Sequence, residues 1–207
     1  MDSGNLLKGN AVIMTVAFIL GIVGFAGVVT TNEALEHTSF AAQDATILGT
    51  KYMYRFGFRG WYEVENETES AYPDGACKDD EDANVGLGVI AFLALLIGWL
   101  IALGRACCSC GTTSKMVGVI LFLLTFFSTL FAIAAFGNYW NGCFAFIEGD
   151  WTDLLKAIGA SSVDDAVVGT GGACWIVTFL LLIISTGLTG YEVFSVTDFE
   201  SSPGLTK

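Results

Sequence analysis

Four stretches of the chain, at about 11–30, 85–104, 116–137 and 173–190, contain no Asp, Glu, Lys, Arg or His. Roughly 20 apolar residues in helical form span a hydrocarbon core about 30 Å thick. Inside that core every backbone N–H and C=O must be satisfied within the segment, so each stretch is expected to be a transmembrane helix. Of the 207 residues, 54% are hydrophobic and only 14% charged, too little charge for the surface of a soluble domain of this size. The sequence therefore predicts an all-α membrane protein, a single four-helix domain with loops at 31–84, 105–115 and 138–172 and a tail at 191–207.

The formal net charge is -12, and all of it lies in loops and tails. The nine Lys and Arg are scattered rather than clustered, which argues against a nucleic-acid partner. The first apolar run is longer than a signal-peptide core and has no clear cleavage site, so it reads as a retained signal anchor. Basic residues near span ends set orientation. Lys8 precedes the first span, and the 105–115 loop carries Arg105 and Lys115 without an acid. Both termini are expected on the cytosolic side of a plasma or other secretory-route membrane. The 31–84 loop, with four basic and twelve acidic residues, and the 138–172 loop, with Lys156 against five acids, then lie outside. Asn66-Glu67-Thr68 is a glycosylation acceptor triplet on that outer side.

The first outer loop is patterned. Tyr52, Tyr54, Phe56 and Phe58 alternate with Lys51, Met53, Arg55, Gly57 and Arg59, the period of a half-buried strand. The pattern continues through Trp61, Tyr62 and Val64, and Pro73-Asp74-Gly75 supplies a turn. A small antiparallel sheet on the helix tops is expected, with an interfacial aromatic segment as the alternative. The acidic run Asp79 to Asp82 lacks the spacing of a calcium loop and reads as a solvated linker. In the second loop, Trp151, Leu154, Leu155 and Ile158 are expected on one face of a short amphipathic helix.

The six cysteines divide by compartment. Cys77, Cys143 and Cys174 fall on the oxidising side. A Cys143–Cys174 bridge across the second loop is the preferred pairing, and Cys77–Cys143 the alternative. Cys107, Cys108 and Cys110 fall on the reducing side beside a span end, the setting of palmitoylation sites. Cys107 and Cys110 also form a C-x-x-C, which admits a redox role; no second ligand pair for zinc exists.

Transporters and pumps keep ionisable residues at mid-membrane. These spans offer only hydroxyls, among them Thr15, Thr125, Ser128, Thr129, Thr178, Ser185 and Thr186, which can bond back to their own helices. Gly21, Gly24 and Gly27, and likewise Gly187 and Gly190, recur every three residues, which suits close helix packing. His37, the one histidine, has no nucleophile motif nearby and reads as an ordinary loop residue. No catalytic residue, cofactor or metal is expected.

The layout resembles the claudin-like tetraspan superfamily, which includes claudins, peripheral myelin proteins and calcium-channel gamma subunits. Phe56-Gly57-Phe58-Arg59-Gly60-Trp61, with Cys77 downstream, stands where that family has a Gly-Leu-Trp element followed by two cysteines. Leu is absent before Trp61 and the loop has one cysteine, so the family's loop disulfide does not carry over, and any bond from Cys77 must leave its loop. The resemblance implies a left-handed four-helix bundle capped by an outer β-sheet, and a non-enzymatic role. The expected partners are membrane lipids and other membrane proteins, reached through structural, adhesive or lateral contacts with itself. The alternatives are an accessory subunit of a larger membrane complex such as a channel, and a four-span thiol oxidoreductase using Cys107 and Cys110.

Overall fold

A computed structural model describes residues 3–72, 77, 81–107 and 115–196. Four long apolar helices carry the fold: α1 (Ser3–Val29), α3 (Glu81–Cys107), α4 (Lys115–Tyr139) and α6 (Thr170–Tyr191). Each is long and apolar enough to cross a membrane, and together they are compatible with a four-helix membrane bundle. They extend past the apolar windows because flanking polar residues can continue the helical hydrogen-bond ladder. Packing runs round a ring, α1 against α6 and α3, and α4 against α3 and α6.

Glycine decides how closely α1 approaches its neighbours. A Cβ on Gly24 would lie 2.7 Å from Trp175 Cε3, and one on Gly21 would lie 2.8 Å from Leu95 Cδ2. Nothing lies within 4 Å of a Cβ at Gly187, so the packing expected of the glycine pair in the last span holds only at Gly190, against Phe122. Hydroxyls behave as expected at Thr15, Thr125, Thr129, Thr178 and Thr186, which donate to carbonyls on their own helices. Ser128 and Ser185 differ. Ser128 donates to Ala91 O on α3, and Ser185 to Asn10 Oδ1 on α1, 2.7 Å away. Asn10 is buried and its amide donates to Thr189 Oγ1 at 3.1 Å. It lies one residue before the first apolar window, so the sequence reading left this α1–α6 clasp out.

At one end of the bundle sits one antiparallel sheet of six strands: β1 (Ala41–Ile47), β2 (Thr50–Phe56), β3 (Gly60–Glu63), β4 (Thr68–Ala71), β5 (Ala160–Val163) and β6 (Val167–Val168). The path is β4-β3-β2-β1-β5, and β6 pairs with β1 beside β5. Both loops build it, since β5 and β6 come from the second. The expected strand at 51–59 is β2, and it stops at Phe56 because Gly57 turns inward. Phe58 N donates to Gly27 O of α1 at 3.2 Å, docking the turn on the helix end. The turn expected at Pro73-Asp74-Gly75 lies outside the described residues, as do Asp79 and Asp80 of the acidic run, whereas Glu81 and Asp82, expected in a solvated linker, form the first turn of α3, where carboxylates suit the helix N-terminus.

Between α4 and the short helix α5 (Thr152–Ala157) the chain stays helical, through π-helical segments Trp140–Phe144 and Ile147–Trp151. This corrects the second loop's amphipathic face: Trp151 and Leu155 are buried, but Leu154 and Ile158 are 51% and 58% exposed. Positions i and i+4 share one helix face, whereas Leu154 and Ile158 form a second such pair turned away from the sheet.

The same continuation corrects the disulfide. Cys143 is bonded to Cys77, with the Cα atoms 4.7 Å apart, and Cys174 is free. An irregular loop would leave Cys143 near the start of the last helix. Instead the helix carries it beyond Tyr139, with its side chain in the core beside the fully buried Cys77.

Candidate functional site

The sheet is held on the bundle by its aromatic face. Strand pairing sets Ala41 opposite Phe56, Gln43 opposite Tyr54, and Phe56 opposite Trp61, all on the side facing the helical segment of the second loop. Trp151 closes on that face, with ring centroids 5.5 Å from Tyr54, 5.8 Å from Phe56 and 5.0 Å from Trp61. Burial pushes the Tyr54 hydroxyl up to about 12, with the charge of Glu63 adding to it. Phe58 stacks on Tyr139, at 4.9 Å, and touches Phe40. Gly60 is required where it stands: a Cβ there would lie 2.2 Å from Ser70 O on β4. Tyr52, Tyr54, Phe56, Phe58, Gly60 and Trp61 are thus brought together, Tyr52 only half-buried at the margin.

Two polar ties fix the loops to each other. Gln43, buried on β1, donates through Nε2 to Thr152 Oγ1 at 2.9 Å and to Asp164 O at 3.1 Å. On the opposite face Asp44 pairs with Lys51 at 2.8 Å and Arg55 at 3.0 Å. Burial of Asp44 works to raise its pKa, but the hydrogen bonds and charges of Lys51 and Arg55 outweigh it and hold the carboxyl below its ordinary value.

The surface this frame presents is apolar at its tip. Leu48 and Gly49 form the two-residue turn between β1 and β2, both at positive φ (51° and 81°). Leu48 is 91% exposed. Ile47 pairs with Ala160, so Ile158 lies at the same end of the sheet, with Leu154 one helical turn before it. No sequence signal singled out Leu48; an apolar residue before glycine in a tight hairpin was the available one.

Asn66 is exposed in the turn between β3 and β4, where its amide donates to Glu63 Oε1. His37 is exposed on α2 (Leu35–Thr38). Cys107 is free and exposed at the last residue of α3, while Cys108 and Cys110 lie outside the described residues. Arg105, expected in a loop, belongs to α3, where its side chain is 5% exposed and paired with Glu192 beyond α6. Among the described residues no three His, Cys, Asp or Glu side chains are gathered as a ready metal-ligand set. The chain matches no family model and no curated protein.

Proposed function

We propose that this is a non-enzymatic multi-pass membrane protein of claudin-like build, whose loop-built sheet makes contacts with other membrane proteins, a second copy of this chain first among them. Leu48 is the observation that carries the reading. A non-glycine residue in the left-handed region costs about 1–2 kcal/mol, and an exposed Leu recovers none of that by burial. Asn or Gly would serve the turn better. A costly apolar residue at the tip, at the same end of the sheet as the exposed Ile158, is accounted for by a partner that covers it.

The orientation belongs to the same proposal. The sheet end carries the disulfide, which suits an oxidising compartment. Lys8, Arg105 and Lys115 gather at the other end, which suits the cytosol. Asn66 is then available to a glycan outside, and Cys107 to an acyl chain inside.

The test is Leu48→Asn, alone and with Leu154→Ser and Ile158→Ser, in vesicles bearing the full chain. The variants fold, and self-crosslinking falls by at least tenfold. A wild-type chain that stays monomeric, with no crosslinked partner in its native membrane, overturns the proposal. Capture in a fixed ratio with a different protein, still dependent on Leu48, would make it an accessory subunit using the same surface.

A further inference from the structure

At the sheet end of the spans, a groove of about 400 Å³ is lined by Phe136, Gly137, Trp140, Asn141, Val168 and Ile176. That volume falls in the range of small-molecule sites. Two rows of i, i+4 neighbours form one wall, Phe136 with Trp140 and Gly137 with Asn141. Nothing lies within 4 Å of a Cβ at Gly137, so this glycine serves no helix contact and leaves a notch between the rows. Ile176 on α6 and Val168 on β6 form the other wall. The aromatic side is set in advance. Trp140 lies flat on Phe144 with ring centroids 4.1 Å apart, and Phe136 stands 5.9 Å from Trp140. The lining also changes character along its length. Phe136, Gly137 and Ile176 belong to the apolar windows of their spans, whereas Trp140, Asn141 and Val168 lie past the window ends. The lining holds no Asp, Glu, Lys or Arg, and its polar side-chain groups are the Asn141 amide and the Trp140 indole N–H.

We propose that this groove binds a sterol from the surrounding bilayer, its hydroxyl at Asn141 and its ring system along Phe136, Gly137 and Ile176. The occupant is a lipid because the groove is continuous with the lipid-facing surface. Ile133 lies one turn from Gly137 on α4, and Leu180 one turn from Ile176 on α6. Both are exposed, on helices long and apolar enough to cross a membrane. Charge then chooses among lipids. A phosphate headgroup calls for cationic donors, and the lining offers none. An uncharged amide and an indole N–H suit a single hydroxyl instead. Shape gives the same answer, since the notch at Gly137 admits a flat ring face, and a rigid ligand loses less freedom on binding than an acyl chain. Depth agrees as well: a Trp at the end of a span stands at headgroup level, where the hydroxyl of a sterol meets water. The proposal rests on the helices spanning the membrane and not on any partner at Leu48.

The experiment uses the full chain in nanodiscs of phosphatidylcholine, with a diazirine-bearing sterol as the probe and mass mapping of the labelled peptides. Saturable labelling is expected within 136–141 and 168–176, and excess unlabelled sterol displaces it. Gly137→Leu, which fills the notch, weakens binding about tenfold or more. Asn141→Ala weakens it about fivefold, the worth of one neutral hydrogen bond. Gly187→Leu, also built into open space but away from the groove, leaves labelling unchanged. All three variants keep the wild-type melting temperature, because none of the new side chains meets a packed neighbour. Labelling that never saturates, or that spreads evenly over the exposed faces of α4 and α6, overturns the proposal. So does wild-type binding by Gly137→Leu. A diazirine-bearing phosphatidylcholine that labels the same peptides saturably and resists displacement by sterol overturns it too. If Gly137→Leu does not fold, the wild-type peptide map and Asn141→Ala, a change at an exposed side chain, decide the case.

Discussion

Arg105 and Glu192 clasp each other at the end of the bundle opposite the sheet, through two parallel hydrogen bonds, Nη1 to Oε2 at 3.1 Å and Nη2 to Oε1. Their side chains are 5% and 13% exposed. The pair ties the end of α3 to the segment just beyond α6. Removing one partner strands the other in a low-dielectric setting at a cost of about 3–5 kcal/mol. Glu192→Gln is therefore expected to lower the denaturation midpoint in mild detergent sharply. Arg105→Met with Glu192→Leu is expected to recover most of the loss, since no charge is left behind. Equal loss in the single and double variants would show the pair's role to be packing alone.

Gly24 should tolerate nothing larger. A Cβ there meets Trp175 Cε3 at 2.7 Å, and Trp175 is anchored by its own hydrogen bond to Ala132 O at 3.1 Å. Gly24→Ala is expected to destabilise by about 1–3 kcal/mol through overpacking. Gly187→Ala, into open space, should be neutral or gain up to about 1 kcal/mol of helix propensity. Thermal melts of the two variants side by side separate a packing glycine from a merely tolerated one.

The Cys77–Cys143 bond closes a sequence separation of 66 residues. On chain-entropy grounds a loop of that length is worth about 4 kcal/mol. Cys77→Ser and Cys143→Ser should each cost about that much and make the sheet end protease-sensitive. Cys174→Ser should leave both the melt and the non-reducing gel mobility unchanged. Mobility that shifts with Cys174→Ser instead would return the bond to the Cys143–Cys174 pairing favoured by sequence.

Asp44 gives the sheet a defined acid limit. Its folded pKa lies below the ordinary 3.8, so its contribution is complete above that value and is lost as pH falls through the folded pKa. Amide exchange in β1 and β2 should rise as pH drops below about 3.8, after correction for intrinsic rates. Asp44→Asn should remove that step while leaving the helices unchanged. A step that persists in the variant would assign it to another carboxylate.

How much of this was written in the sequence depends on the range of the interaction. The four helices and strand β2 were legible because an apolar run and a period-two aromatic pattern are local properties of consecutive residues. Gly24 and Gly27 were legible as a packing face for the same reason. Strand β1 was not: its core face reads Ala41, Gln43, Ala45, where small residues and a buried amide break the apolar alternation. Strands β5 and β6 are too short to carry a period. They exist because β1 offers them an edge, a choice made some 115 residues away in sequence, as in the Ser161 to Thr46 O bond. The partner of Cys143, the burial of Asn10 and the Arg105–Glu192 clasp were likewise decided by tertiary structure. Each depends on where a helix end lands beside another segment, and burial turns a residue that reads as solvated loop into one that must find its complement.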